Sequence, residues 1–244
     1  MIAAGSTPWT DVRDHIATGH TVAVLPFGAL EQHGPQLPLA TDTIQATGVA
    51  ERIAERYDAL LLPAVAYGDT WNNAGYPGTV SLSAPTVTAI AVDLARSVWS
   101  FGIKSLVIIN GDWGNRNPLY EATRILEREH GIRILVLDYP GLTEAAEHVI
   151  ESGPAAPGLC HADEIETSLV LALAPDQVHP DRYVACYPEF PADFGVRPMQ
   201  LHQFSESGVF GDPTLADADK GRTLLEAVVT ASVPIIDAYL TTSD

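Results

Sequence analysis

Thr21-Val22-Ala23-Val24-Leu25-Pro26-Phe27 is an apolar run without a charge, and it leads into Glu31-Gln32-His33-Gly34-Pro35-Gln36-Leu37-Pro38-Leu39-Ala40-Thr41-Asp42. Near-continuous hydrophobicity over so few residues marks a strand buried on both faces, as parallel strands are. The second stretch holds one glycine and two prolines between Glu31 and Asp42, so it reads as a stiff loop, neither helix nor sheet. It sets a carboxylate, an imidazole and a second carboxylate beyond the carboxyl end of a strand, where open α/β sheets place their sites. Glu, His and Asp are also the usual oxygen and nitrogen ligands of zinc, manganese and other first-row divalent metals.

Outward from this stretch, strand and helix patterns alternate. Residues 43–57 carry apolar or small side chains at Ile44, Thr47, Gly48, Ala50, Ile53 and Ala54, as an amphipathic helix does, and residues 60–65 form a second apolar run. A long connection over residues 68–83 contains Trp71, Asn72, Asn73, Gly75, Pro77 and Gly78. Its aromatics and length mark a functional loop rather than disorder. Ser83-Ala84-Pro85 opens a helix to Phe101 that Gly102 closes; strands follow at 104–110 and 132–138, with a charged amphipathic helix at 119–130 between them, stopped by Gly131. Upstream, Ser6-Thr7-Pro8 opens a short helix to about Thr18.

Downstream the pattern loosens. Residues 143–151 are compatible with a helix and 162–173 read as one, ended by Ala174-Pro175. Residues 181–211, rich in proline and aromatics, show no period and receive no assignment. Asp212-Pro213-Thr214 caps a last helix to about Tyr239, with Pro234 expected to kink or end part of it. No repeat is visible, and the alternation predicts one domain over residues 1–244, a three-layer α/β/α sandwich with a largely parallel sheet.

Composition agrees with a single domain: 244 residues, 46% hydrophobic, can bury a substantial core. The formal net charge of −18 repels phosphate backbones and anionic lipid, so neither nucleic acid nor a membrane is an expected partner. Solubility accounts for most of that charge. Two cysteines, Cys160 and Cys186, make no disulfide framework and no C-x-x-C zinc pair. Residues 1–9 lack a basic and apolar leader pattern, and no apolar run approaches the ~18 residues of a bilayer span, so a cytoplasmic protein is expected.

Three loops carry polar residues with no evident structural duty. The first holds Glu31, His33 and Asp42; the second is Asn110-Gly111-Asp112-Trp113-Gly114-Asn115; the third is His161-Ala162-Asp163-Glu164-Ile165-Glu166-Thr167-Ser168. Singly, each has a plain explanation. Asp42 before Thr43 suits a helix cap, Asp112 after Asn-Gly suits a turn, and Glu164 and Glu166 in a first helical turn suit the helix dipole. Glu164 and Ser168 share a face at i, i+4 while Glu166 projects elsewhere, so at most one of the two glutamates is expected to reach a site at that helix end.

Jointly, in order and spacing, these loops resemble the creatininase family of metal-dependent amidohydrolases. The first matches the family's E-x-H-G-P-x-L-P-x-x-T-D at every named position. Tyr67-Gly68 and Pro77-Gly78-Thr79-Val80-Ser81-Leu82 resemble its Y-G and P-G-T-x-S-L, the second loop its N-G-H-G-G-N, and the third its H-A-G-E-x-E-T-S. Gly208-Val209-Phe210-Gly211-Asp212-Pro213 is a weaker echo. The resemblance implies an α/β/α fold, a homo-oligomer, often a hexamer, and a divalent metal centre of two ions per chain (Zn, Mn or Fe). It places Glu31, His33, Asp42, Asp112 and Glu164 on the metals, with Asp42 bridging, and His161 beside them as general acid/base.

The departures bear on substrate. Asp112 stands where the family has histidine, Trp113 follows it, and Thr70-Trp71-Asn72-Asn73 replaces an S-x-E-H stretch. Trp71, Asn73, Trp113 and Cys160 are therefore expected in a pocket for a small-molecule substrate other than creatinine. Trp113 has an alternative role packed under its loop, and Cys160 reads as a weakly polar wall residue, with a reactive thiol as the alternative. The expected reaction is hydrolysis of a C–N bond, that of a cyclic amide first. The alternatives are trimming of a modified precursor peptide, hydrolysis of a sugar-like cyclic ketone, and a non-catalytic binding protein of the same fold.

Overall fold

The computed structural model describes residues 1–129 and 131–241. A five-stranded sheet, parallel throughout, runs β1 (Ile2–Ala3), β3 (Leu60–Leu61), β2 (Val22–Phe27), β4 (Ser105–Asn110), β5 (Ile134–Leu137) in spatial order. Period-two alternation sends the side chains of the central strands to two separate cores. Ala23, Leu25 and Phe27 of β2, with Leu106 and Ile108 of β4, pack against α3 (Ala84–Ser100) and α4 (Arg116–Glu127), joined by Val12 and Ile16 of α1 (Trp9–Ala17). Val24, Val107 and Ile109 face the other way, onto α2 (Thr41–Arg56), α5 (Leu142–Val149), α6 (Glu164–Leu173) and α7 (Ala218–Thr241). The expected three-layer sandwich is present.

Differences from the sequence reading are local and have physical causes. β1 is two residues long and carries no periodic signal. β3 stops at Leu61 where 60–65 was expected; the chain leaves the ladder at Pro63 and rejoins it only at the single Phe27–Val65 bridge. Pro26 is tolerated in a central strand because pairing on the β3 side lapses beside it. The expected helix end at His130 lies outside the described residues. Asp212 caps a short 3-10 turn at Pro213–Leu215 rather than α7 itself, and α7 continues through Pro234. Contrary to expectation, α7 is long and apolar enough by composition to span a bilayer. Its buried Gly221, Leu224, Leu225, Val228, Ser232 and Ile236 recur at helical spacing, and this one face packs on α6 and α5 as that of an amphipathic helix does.

The strand order places the site. The connection after β2 turns to one side through α2 to β3, and the next crosses back through α3 to β4. The crevice beyond the carboxyl ends of β2 and β4 is thus the switch point of the sheet. The Glu31 loop leaves β2 there, and Asp112 leaves β4.

Candidate metal centre

Four segments converge on this crevice. Glu31 and His33 come from the loop after β2, which is pinned by Glu31 N–H to Leu39 O (3.0 Å) and by Gln32 N–H to Thr79 Oγ1 (3.0 Å). Asp42 sits in the first turn of α2. It caps nothing: the position before the helix is Ala40, with no side-chain cap bond, and Asp42 Oδ1 lies 3.1 Å from His33 Nε2. Asp112 arrives from β4. Gly111 makes that approach feasible, since a Cβ there would stand 2.3 Å from the Asp42 carbonyl oxygen. His161 is held by a two-residue bridge to Phe210, which accounts for the Gly208–Pro213 echo in the sequence.

The fourth carboxylate is Glu166, and this corrects the expectation for Glu164. Glu164 is fully buried but turns away, accepting from the Ser152 N–H (2.7 Å), the Glu151 N–H and Lys220 Nζ (2.5 Å). It ties α6 to α7 and to the preceding loop. Glu166 Oε2 lies 3.7 Å from His33 Nε2 and 3.9 Å from His161 Nδ1, and accepts from the Ala162 N–H at 2.5 Å. A sequence signal for this existed. Asp163 is the N-cap and accepts from the Glu166 N–H, so Asp163-x-x-Glu166 has capping-box spacing, which turns the third-position side chain back over the helix start. Ala162, at φ 52, is bent into the left-handed region so that its N–H meets Glu166.

Tautomers follow from partners. His33 Nδ1 faces the Glu31 carbonyl oxygen (3.1 Å), so it carries a proton and leaves Nε2 toward Asp42 and Glu166. His161 Nε2 lies 2.7 Å from the Gln32 carbonyl oxygen and donates to it, leaving Nδ1 toward Glu31 and Glu166, 3.9 Å from each. Gln32 also donates its side-chain amide to Asn73 Oδ1 and Gly208 O, and Asn73 donates to Glu31 Oε2 (3.0 Å). Sequence reading missed Gln32 altogether and set Asn73 on the pocket wall; in the structure Asn73 is buried behind Glu31.

Burial raises the Glu31, Asp42 and Asp112 carboxyls above the usual range, and mutual repulsion adds to it: Asp112 and Asp42 at Glu31, Asp42 at Asp112. Burial would raise Glu166 as well, but the charge and hydrogen bond of His33, the His161 charge and the Ala162 N–H together outweigh it, and the group falls to about 2. Burial alone would lower His33, yet Asp42 and Glu166 lift it well above the ordinary imidazole value, while burial and His33 press His161 down to about 4. Protons here do the work that a cation would do in a cluster of buried carboxylates.

The donor set fits divalent metal. His33 Nε2, Asp42 Oδ2 and Asp112 Oδ2 are buried with no hydrogen-bond partner among the described residues. No lysine or arginine pairs with Glu31, Asp42, Asp112 or Glu166 among those residues. Three groups bring one ligand atom per residue within 4.8 Å of each other: Glu31–Asp42–Asp112, His33–Asp42–Glu166 and Glu31–His33–His161.

Above the cluster opens a cavity of about 580 Å³. Trp71, Asn72, Trp113 and Cys160 line it, with residues 157–159 and 194–199 opposite. Trp113 is 67% exposed, so it is not packed under its loop. Cys160 is an exposed part of the cavity wall; partial burial and Asp163 push its thiol up to about 12, so little of it is thiolate near neutral pH. Phe190, Phe194, Phe204 and Phe210 stack behind that wall and order part of the segment that showed no period.

The creatininase family model, described as creatinine amidohydrolase, matches residues 6–236. Creatinine amidohydrolase of Pseudomonas putida is 30% identical over 93% of each chain. The mycofactocin precursor peptide peptidase of Mycolicibacterium smegmatis is 34% identical over 85% of this chain and 81% of its own. The 3-dehydro-scyllo-inosose hydrolase of Thermotoga maritima is 25% identical over 84% and 73%. A solved creatininase superposes with a TM-score of 0.88 at 30% identity, covering 98% and 97% of the two chains. A zinc–zinc mutant (TM-score 0.87, 30% identity, 97% of each chain) and a manganese form (0.85, 29%, 98% of each) are similar too. The chain belongs to the creatininase family, whose metal-dependent amidohydrolase fold it shares from end to end.

Proposed function

We propose that the protein hydrolyses a C–N bond with two divalent cations per chain, Zn, Mn or Fe, held by Glu31, Asp42 and Asp112 on one side and His33, Asp42 and Glu166 on the other. The observation that carries this reading is the set of three buried carboxylates, the half-buried Glu166 and two buried imidazoles, with unpartnered His33 Nε2, Asp42 Oδ2 and Asp112 Oδ2 and no basic partner among the described residues. When bound, divalent cations supply a Lewis acid for the amide carbonyl and a water acidified toward neutral pH.

The chain's own residues do the rest. His161 is the general acid/base: its Nε2 proton is committed to Gln32, so Nδ1 takes a proton in the cleft and returns it to the departing nitrogen, which otherwise leaves poorly. Burial and the neighbouring His33 keep it neutral near pH 7, with Nδ1 unprotonated. Asn73 fixes Glu31 through Oε2, leaving Oε1 toward the cluster. Trp71 and Trp113 flank the mouth of the cavity and offer flat faces to a planar amide.

A cyclic amide is the first substrate class to test. Trimming of a peptide is the second, favoured by the cavity volume, which suits a ligand well above the size of a small ring. Metal-loaded protein assayed against lactams, imides, short peptides and inososes separates these, and absence of both metal uptake and hydrolysis would sink the proposal. A homo-oligomer, hexameric by resemblance, and a cytoplasmic location belong to the same proposal; light scattering checks the first and fractionation of the source cells the second.

A further inference from the structure

Charge is unevenly spread over the cavity above the cluster. Its buried floor holds Glu31, Asp42 and Asp112 with Glu166 beside them, and Arg197, 61% exposed, is the one lysine or arginine in the lining. Much of the remaining wall is apolar, with Phe194, Met199 and Leu201 joining the two tryptophans. Arg197 stands on an ordered turn. Phe194 N–H donates to Pro191 O at 2.9 Å and Val196 N–H to Asp193 O at 3.1 Å, with Gly195 at φ 79 between them. Phe194 anchors that turn, its ring 4.1 Å from that of Phe190 and 5.4 Å from that of Phe204. Arg197 Nε donates to Asp193 Oδ2 at 2.6 Å, which fixes one edge of the guanidinium; Nη1 and Nη2 have no hydrogen-bond partner among the described residues.

An exposed i, i+4 ion pair such as Arg197–Asp193 contributes little to stability, so the scaffold has small need of this guanidinium. Its free end, two N–H groups side by side in a rigid plane, has the shape that takes a carboxylate bidentately. The floor is occupied by the amide that is cut. For an anionic group that the substrate carries elsewhere, Arg197 is the only lysine or arginine on the lining that can meet it. We infer that Arg197 sets the specificity of the cavity: the substrate is an amide that also bears a carboxylate, gripped by Nη1 and Nη2 at the rim, with an apolar part against the wall and the scissile carbonyl on the floor. The inference rests on the C–N hydrolase reading and adds to it the charge of the substrate and the end by which it is held.

The test sets matched acids and carboxamides against the full, metal-loaded chain: hippuryl-phenylalanine and its terminal amide as a linear pair, pyroglutamate and pyroglutamamide as a cyclic one. Binding is read by calorimetry and turnover by product release. In at least one pair the acid is expected to bind about tenfold or more tighter than the amide, the range of a hydrogen bond to a charged group. Arg197→Gln should bring the two within about twofold of each other by weakening the acid, with the loss on KM more than on kcat. Arg197→Lys, which keeps the charge and loses the fork, should recover part of the preference. Elemental analysis and circular dichroism show that both variants are loaded and folded. A wild type that binds neither acid, or binds neither more tightly than its amide, overturns the inference, and so does a preference that survives in Arg197→Gln. Hydrolysis of neutral amides by that same wild type would leave the C–N hydrolase reading standing. If the protein takes up no metal and cuts no amide, that reading fails and the inference goes with it.

Discussion

His161 Nε2 lies 2.7 Å from the Gln32 carbonyl oxygen, and the amide nitrogen of the same Gln32 lies 2.8 Å from that ring nitrogen. The backbone carbonyl fixes the tautomer of the imidazole, while the side-chain amide, its hydrogens given to Asn73 Oδ1 and Gly208 O, packs against the ring and sets its tilt; Asn73 in turn stands behind Glu31. Gln32→Ala is expected to lower kcat about 10- to 100-fold, the usual effect of removing a partner that orients a ligand or a catalytic group. KM should move less. Steady-state kinetics on metal-saturated protein checks this; an unchanged kcat would show that the backbone carbonyl alone holds His161.

Glu164 and Glu166 lie two residues apart and are expected to fail in different ways. Glu166→Gln should cost bound metal, read by elemental analysis, with little loss of stability. Glu164→Gln should keep its metal and lose about 1–3 kcal/mol, the cost of leaving buried partners unsatisfied. Those partners are Lys220 and the Ser152 and Glu151 N–H groups. Reversed results would return Glu164 to the centre.

Gly111→Ala tests the approach of β4 to α2. The new Cβ would stand 2.3 Å from the Asp42 carbonyl oxygen and 3.2 Å from Ala46 Cβ, so the loop must move, taking Asp112 with it. Overpacking of this kind costs about 1–3 kcal/mol. The expected signature is weaker metal retention together with a lower urea midpoint; full retention of metal would mean that the loop adapts without displacing Asp112.

Most of this architecture is legible in the chain, and the exceptions share a cause. β2 and β4 announce themselves because burial on both faces demands unbroken apolar runs, and the half-buried edge strand β5 shows a shorter one. β1 and the wall over residues 181–211 do not, because a two-residue strand and a set of stacked phenylalanines leave no period. The residues of the site at strand ends, Glu31, His33 and Asp112, are visible for their type and place. The choice between Glu164 and Glu166 depends on helical phase, and the phase is set by which residue caps. With Asp163 as the cap, Glu164 becomes the first helical residue and points at α7, while Glu166 folds back over the cleft. Asn73 and Gln32 escape for another reason: their duties are hydrogen bonds between loops far apart in sequence.

Acid titration of the Glu164 anchor gives the last expectation. Burial raises this carboxyl, but Lys220 and the Ser152 and Glu151 N–H groups outweigh burial, so its folded value lies below that of an ordinary glutamate. A group depressed in the folded state contributes stability that is fully present above its unfolded pKa and fades as the pH falls through the folded one. The stability difference between wild type and Glu164→Gln should therefore be level from pH 7 to about pH 5 and shrink below about pH 4.5, the unfolded glutamate range. Because the carboxylates of the metal centre titrate alike in both proteins, subtraction removes them. Urea unfolding of the pair across pH 3–7, in chelator so that metal loss is common to both, reads the difference directly. A gap that stays constant down to pH 3 would mean that the charge on Glu164 contributes nothing and that shape alone holds α6 to α7.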